Sequence, residues 1–258
     1  MSSLYQELDH RETALGELIL RRRRHVGLDT DVYEVKLGDD FLMSSLFTAS
    51  EEALGRLGVR HAVGIHAGNA RQGAHSGAGQ RSGVVDVVVG GLGLGYTAAA
   101  VLESPTVRSL LIVEFLEPVI DWHRNGLLPV SRSLTTDKRC RFVPADFFRS
   151  ALSEDGFDPE SPGRRFHAVL ADIDHTPESW LDPKNNAFYQ VDGLRSVKRH
   201  LLPGGVFGLW SNEPPDESFR TRMAGAFDAE WAEPVVFHNP LQNSEVTQTV
   251  YFGVRYEK

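Results

Sequence analysis

From residue 84 onward the chain alternates strand-like apolar runs with helix-like patterns, and this alternation constrains the fold more than any other feature. Residues 84–89 form a continuous apolar run broken by one Asp, as in a strand buried on both faces. The turn Gly90-Gly91-Leu92-Gly93-Leu94-Gly95 follows, then a helix over 96–102, stopped at Ser104-Pro105. A second strand is predicted over 108–114 and a second helix over 117–125, with Gly126 as its C-cap. Short strands follow over 140–143 and 166–172. Phe188, Val191, Leu194, Val197 and Leu201 recur at helical spacing and predict a helix over 187–201, ended by Pro203-Gly204-Gly205. A fifth strand over 206–210 and a helix over 217–229 come next. The last two strands, 235–238 and 246–256, are joined by too few residues for a crossover helix, so they pair antiparallel. Such alternation builds a doubly wound α/β sheet.

The first 60 residues read differently. Residues 16–21 and 32–37 are short apolar-rich strands, Gly38-Asp39-Asp40 is a turn signal, and 49–57 is a helix with Ser50 as its N-cap. The basic run Arg21–Arg24 is read as a solvated strand end. Between the two halves lies a Gly-, Ala-, Ser- and His-rich stretch with little apolar periodicity. The division is therefore a small β domain over 1–60, a connecting segment over 61–83 with helix at its start, and a large α/β domain over 84–258. His61, His66 and His75 fall in the connector without clustered carboxylates or thiols, so no metal is assigned.

Composition excludes several classes. The net charge of −8 argues against a nucleic-acid backbone as partner. No apolar run is long enough to span a membrane, and the polar N-terminus lacks the apolar core of a signal peptide. A single cysteine, Cys140, permits no intrachain disulfide. These features together predict a cytoplasmic protein.

Ligands of open α/β sheets sit beyond the carboxyl ends of the strands. The first strand ends in Gly91, Gly93 and Gly95, where the backbone can approach a ligand closely. A dinucleotide loop starting at Gly91 would need Gly at position 96, which is Tyr96, so nicotinamide chemistry is disfavoured. Glu114 closes the second strand, 19 residues after Gly95, where an acid accepts from ribose hydroxyls. After the third strand, Asp146 is placed to accept from an adenine amino group, with Phe147 against the ring. The fourth strand ends in Asp172, Asp174 and His175, and the fifth in Glu213. His175 is read as a solvated loop residue. Trp180 and Trp210, near the last two strand ends, are candidates for a pocket wall or for the core.

The stretch from Val84 to about Glu213 resembles the catalytic domain of spermidine synthases. The resemblance is carried by Val88-Val89-Gly90-Gly91, Leu111-Ile112-Val113-Glu114, Asp146-Phe147, Val169-Leu170-Ala171-Asp172, Ala187-Phe188-Tyr189 and Leu202-Pro203-Gly204-Gly205-Val206. The N-terminal segment is similar to that family's small β domain, ending in a helix that retains Glu52. The resemblance implies a seven-stranded class I methyltransferase (Rossmann-like) sheet with an antiparallel last strand. It implies an S-adenosyl co-substrate, S-adenosylmethionine or its decarboxylated form, and no metal. It further implies a small-molecule amine as acceptor and a homodimer formed through the N-terminal domain. Asp172 matches the acid that accepts a proton from the attacking amine, and Asp174, Glu213 and Glu52 are the candidate acceptor-side residues. Four features depart from the family. The Gln near its N-terminal turn has no clear counterpart here. The glycine loop carries Leu92 and Leu94 but no acid. Ser50-Glu51 stands where a Tyr-His pair is expected. Asp174 lies two residues after Asp172 instead of three. Aminopropyl transfer, methyl transfer and non-catalytic nucleoside binding all stay open.

Overall fold

The computed structural model describes residues 4–72 and 83–256. Two sheets carry the fold. The small one is a four-stranded antiparallel meander of β1 (Tyr5–Thr13), β2 (Gly16–His25), β3 (Thr30–Leu37) and β4 (Asp40–Ser44). β1 was not predicted, because nearly all its side chains are exposed and no apolar alternation marks it. It is an edge strand defined by its pairing with β2. The basic run lies on β2, where Arg21 and Arg23 clamp the buried Glu34 at 2.7 and 2.6 Å, so these arginines are structural.

α1 (Ala49–Gln72) is far longer than predicted and crosses the boundary drawn at residue 60. His61 and His66 therefore lie on a helix, whereas His75 and the rest of the connector over 73–82 fall outside the described residues. His61 bonds Glu233 at 2.8 Å and His66 packs edge-on against His167. Ser50 is not the N-cap. It sits one residue inside the helix, fully buried. α1 packs on the large sheet and on the helix over 96–102, which Gly55 lets it approach closely: a Cβ there would lie 2.6 Å from the Thr97 carbonyl oxygen.

The large sheet contains β5 (Val85–Gly90), β6 (Val107–Glu114), β7 (Cys140–Pro144), β8 (Phe166–Ala171), β9 (Leu201–Ser211), β10 (Ala229–Asn239) and β11 (Ser244–Val254). Its order is β10-β11-β9-β8-β5-β6-β7. β7, β6, β5, β8 and β9 are parallel, and β11 inserts antiparallel between β9 and β10. The expected seven strands with an antiparallel end are thus present. Helices α2 (Tyr96–Leu102), α3 (Glu117–Arg124), α4 (Ser131–Thr136), α5 (Phe147–Leu152), α6 (Val191–Arg199) and α7 (Glu217–Ala226) complete the layers. α2 has the predicted bounds. Gly126 adopts φ +71° just past α3, as a C-terminal glycine should.

Two elements differ in an instructive way. The helix expected over 187–201 begins only at Val191 and follows a 3-10 segment, Pro183–Tyr189. The chain doubles back so tightly that a Cβ on Gly193 would lie 2.3 Å from the Ala187 carbonyl oxygen. Pro203-Gly204-Gly205 does not stop a helix; it is a bulge inside β9. Leu201 pairs with Phe166 and Val206 with Ala168, so one strand carries three extra residues. β10 extends well upstream of 235–238 through Pro234, which an edge strand tolerates. Among the described residues, no helix is long and apolar enough to cross a membrane.

Candidate functional site

Two cavities open beyond the carboxyl ends of β5, β6, β8 and β9, on either side of the glycine loop. In that loop Gly91, Gly93 and Gly95 all have positive φ, at +88°, +46° and +90°. A Cβ on Gly91 would lie 2.0 Å from the Asp172 carbonyl oxygen, so this position admits only glycine without a backbone shift. His123 on α3, fully buried, contacts the Gly93 carbonyl oxygen through Nε2 at 2.9 Å. Burial lowers its pKa, so at neutral pH the ring is neutral and holds the loop as a hydrogen-bond donor. The sequence reading missed this residue, since a single histidine on a helix carries no motif.

The first cavity, about 120 Å³, is lined by Gly91, Glu114, Phe115, Asp146, Phe147 and Phe148, among others, with Leu15 reaching over from the β1–β2 turn. Glu114 is nearly fully buried. It accepts from the Leu92 amide at 2.8 Å and the Leu116 amide at 2.7 Å, one on each oxygen. Burial pushes its pKa up despite these bonds. Each carboxylate oxygen has a second lone pair, so Glu114 can hold the loop and still accept from two hydroxyls in the cavity. Asp146 is the N-cap of α5, accepting from the Arg149 amide at 3.0 Å, and lines the same cavity. Phe147 is part of the core, stacked on Phe157 with ring centroids 5.0 Å apart. The exposed aromatic at the cavity is Phe115, which had not been singled out.

The second cavity, about 240 Å³, lies between β4 with its following loop and the large sheet. Asp172 projects into it from the end of β8. Its Oδ2 lies 2.5 Å from Thr97 Oγ1, which is also 3.1 Å from the Glu51 carbonyl oxygen. Glu51 lines the same cavity. Its carboxylate is 2.9 Å from Ser50 Oγ, which accepts in turn from Trp210 Nε1 at 2.8 Å and contacts the Gln248 side-chain oxygen. Burial, and for Glu51 also the neighbouring Asp172 charge, pushes both acids up, Glu51 to about 7 and Asp172 to about 6. Neither forms a salt bridge among the described residues. His175 and Trp210 also line this cavity, so His175 is a half-buried wall residue and not a solvated one, whereas Trp180 donates to the Pro177 carbonyl oxygen and packs on the core.

Three candidate acceptor residues are not brought to the cavity. Glu52 points away, with Oε1 accepting from Thr48 Oγ1 at 2.9 Å and Oε2 from Arg56 at 2.9 Å; its neighbour Glu51 faces inward instead. Successive helical residues diverge in direction, so a one-residue difference of frame exchanges one acid for the other. Asp174 is buried and saturated: it accepts from the Leu181 amide at 2.7 Å, from the Asn185 amide group and from the Tyr189 hydroxyl at 2.9 Å. It organises the loop after β8. Glu213 is exposed, and its neighbour Asn212 lines the cavity.

No family model matches the sequence, and no curated protein matches it. Its backbone nonetheless aligns with solved structures. One is a spermidine synthase in complex with the transition-state analogue AdoDATO, at TM-score 0.68 and 13% identity over 97% of this chain and 74% of that one. A second is spermidine synthase from Thermotoga maritima, at TM-score 0.66 and 13% identity over 97% and 73%. Human Methyltransferase-like protein 13 in complex with SAH aligns at TM-score 0.52 and 17% identity over 81% and 82%. The architecture, small N-terminal sheet included, is therefore that of the spermidine synthases, built on a class I methyltransferase-like sheet.

Proposed function

We propose that this protein is a transferase that moves an alkyl group from an S-adenosyl sulfonium to an amine. The observation that carries this reading is a pair of half-buried carboxylates, Glu51 and Asp172, facing a cavity lined by no Lys or Arg among the described residues, next to a glycine-loop cavity floored by Glu114. An uncompensated pair of acids partly withdrawn from water is costly unless a cation joins it. An amine arriving as an ammonium supplies that cation.

The first cavity fits an adenosyl group: close-approach glycines, an acid with lone pairs to spare, an N-cap acid and an exposed aromatic. When bound, the S-adenosyl sulfonium supplies an electrophilic carbon whose bond to sulfur breaks as the carbon–nitrogen bond forms, leaving a neutral thioether. Asp172 accepts the proton that the ammonium must shed before its nitrogen has a lone pair to donate. Its raised pKa makes it a stronger base than an ordinary aspartate. Thr97, lying between Asp172 and the Glu51 carbonyl, can donate to the ionised carboxylate or accept from the protonated one and pass its own hydrogen to the carbonyl. The hydroxyl therefore accommodates both states of the base without moving its oxygen. Glu51 holds the positive charge beside the reacting nitrogen.

Aminopropyl transfer from the decarboxylated donor is the first form of this reading. Methyl transfer from S-adenosylmethionine is the second, favoured by Leu92 and Leu94, which face the acceptor cavity where an acid would otherwise meet a donor ammonium. Incubation with each donor and a panel of amines, followed by mass spectrometry of both products, tests the proposal. Methylthioadenosine identifies the first form and S-adenosylhomocysteine the second. Binding of a nucleoside with no thioether released from either donor would leave only a binding protein.

A further inference from the structure

We infer that the acceptor is a monoamine with an apolar body, gripped at its single nitrogen, and not a diamine or polyamine. The inference rests on the alkyl-transfer reading for the role of the cavity, but it is carried by the cavity's own asymmetry.

All the anionic character of the acceptor cavity sits at one place. Glu51 and Asp172 both line it, Thr97 tying the Asp172 carboxylate to the Glu51 backbone carbonyl, and no other Asp or Glu lines the walls. The apolar lining is supplied by Phe41, Met43 and Phe47 from the small domain and by Leu94 and the ring of Trp210 from the large one, the Trp210 indole nitrogen being bonded to Ser50 beside Glu51. The remaining polar lining offers no negative charge. Gln248 donates its amide to the Asn212 side-chain oxygen, so these two neutral groups are already engaged with each other. His175 carries no negative charge. Tyr96, whose phenol burial pushes upward, stays protonated near neutral pH.

A diamine places a second full charge some carbons away from the first. Inside these walls that charge would lose its hydration without gaining a carboxylate. The two candidate acids that could have met it are elsewhere: Asp174 is saturated by Leu181, Asn185 and Tyr189, and Glu213 is outside the cavity. An alkyl or aryl group in the same place buries apolar surface against apolar surface, which is favourable.

Calorimetric titration of the full-length chain at pH 8 with n-butylamine and with 1,4-diaminobutane tests this, since the two differ by one ammonium group. Butylamine is expected to bind about tenfold tighter or better, a difference of about 1.4 kcal/mol. Glu51→Gln is expected to weaken butylamine at least about tenfold. Phe41→Glu, at an exposed lining position that tolerates a charge, is expected to narrow the gap by giving the diamine its second partner. Equal or tighter binding of the diamine to the unaltered protein overturns the inference. So does butylamine binding that is absent, or indifferent to Glu51→Gln. A parallel titration with S-adenosylhomocysteine and methylthioadenosine separates this from the transfer reading. Monoamine binding without nucleoside binding removes the reading and leaves the inference; nucleoside binding with diamine preference does the reverse.

Discussion

The two ends of the large sheet bury acids in opposite ways. At the amino ends of the strands, Asp86 is held by Arg108 and Ser109, with Arg164 3.3 Å away, and Asp158 by Arg141 and Arg164. Burial alone would raise these two acids, but the hydrogen bonds and charges of the arginines prevail and hold both below the ordinary carboxylate range. At the carboxyl ends Glu51, Asp172 and Glu114 have no cation among the described residues, and burial prevails, raising all three. The same chemistry serves two purposes. Saturated acids brace the fold, whereas unsaturated ones are left for something that arrives from outside.

The largest effect expected from breaking this contrast is at the reactive end. Asp172→Asn removes the base but keeps the shape, and should lower the transfer rate by about 10²–10⁴-fold. Product formation followed by mass spectrometry checks this; an unchanged rate would place the chemistry elsewhere. Next is the bracing end. Arg164→Met withdraws the one guanidinium that reaches both Asp86 and Asp158. It should cost about 2–4 kcal/mol of stability by urea unfolding, since each of two buried carboxylates loses a partner while Arg108 and Arg141 remain, with nucleoside affinity untouched.

A third prediction sets the two ends against each other through pH. Glu51 and Asp172 bind protons more tightly folded than unfolded, so stability should fall as pH rises from about 4.5 to about 7. Asp86 and Asp158 bind protons less tightly folded, so their contribution is present above the ordinary range and is lost on acidifying below about 4. The melting temperature should therefore peak near pH 5, and Asp172→Asn should stabilise the protein at pH 8 by on the order of 1–3 kcal/mol while it abolishes turnover. A flat profile between pH 5 and 8 would show that the reactive pair is better compensated than its surroundings imply. The smallest effect is at Glu114. Glu114→Gln leaves an acceptor oxygen for only one of the two backbone amides and should weaken nucleoside binding about tenfold by calorimetry.

Much of the large domain was legible because its signals are local. β5 is buried throughout and apolar but for Asp86, α2 starts on a glycine turn and stops before a proline, and the acids at the strand ends occupy fixed offsets from those elements. The edge strands were not legible. β1 is mostly exposed and polar, and the upstream part of β10 is half-exposed and interrupted by Glu230, Glu233 and Pro234; both are specified by their partners. The helix and strand around Pro203 were misplaced because Pro-Gly-Gly signals a break in the chain without saying which kind.

The sequence by itself determined the doubly wound order, the glycine loop, and the presence of Glu114, Asp146 and Asp172 at successive strand ends, since each follows from periodicity and turn chemistry within a few residues. Only the tertiary structure decided which acids face a cavity. Asp172 and Asp174 are two residues apart, and one opens onto a cavity while the other is consumed by Tyr189 and Asn185. Glu51 and Glu52 are adjacent, and the packing of α1 over α2 at Gly55 leaves one lining the cavity beside Asp172 and the other bonded to Arg56. A carboxylate's role depends on the partners that long-range packing brings within three ångströms, and those partners leave no trace in its own neighbourhood of the chain.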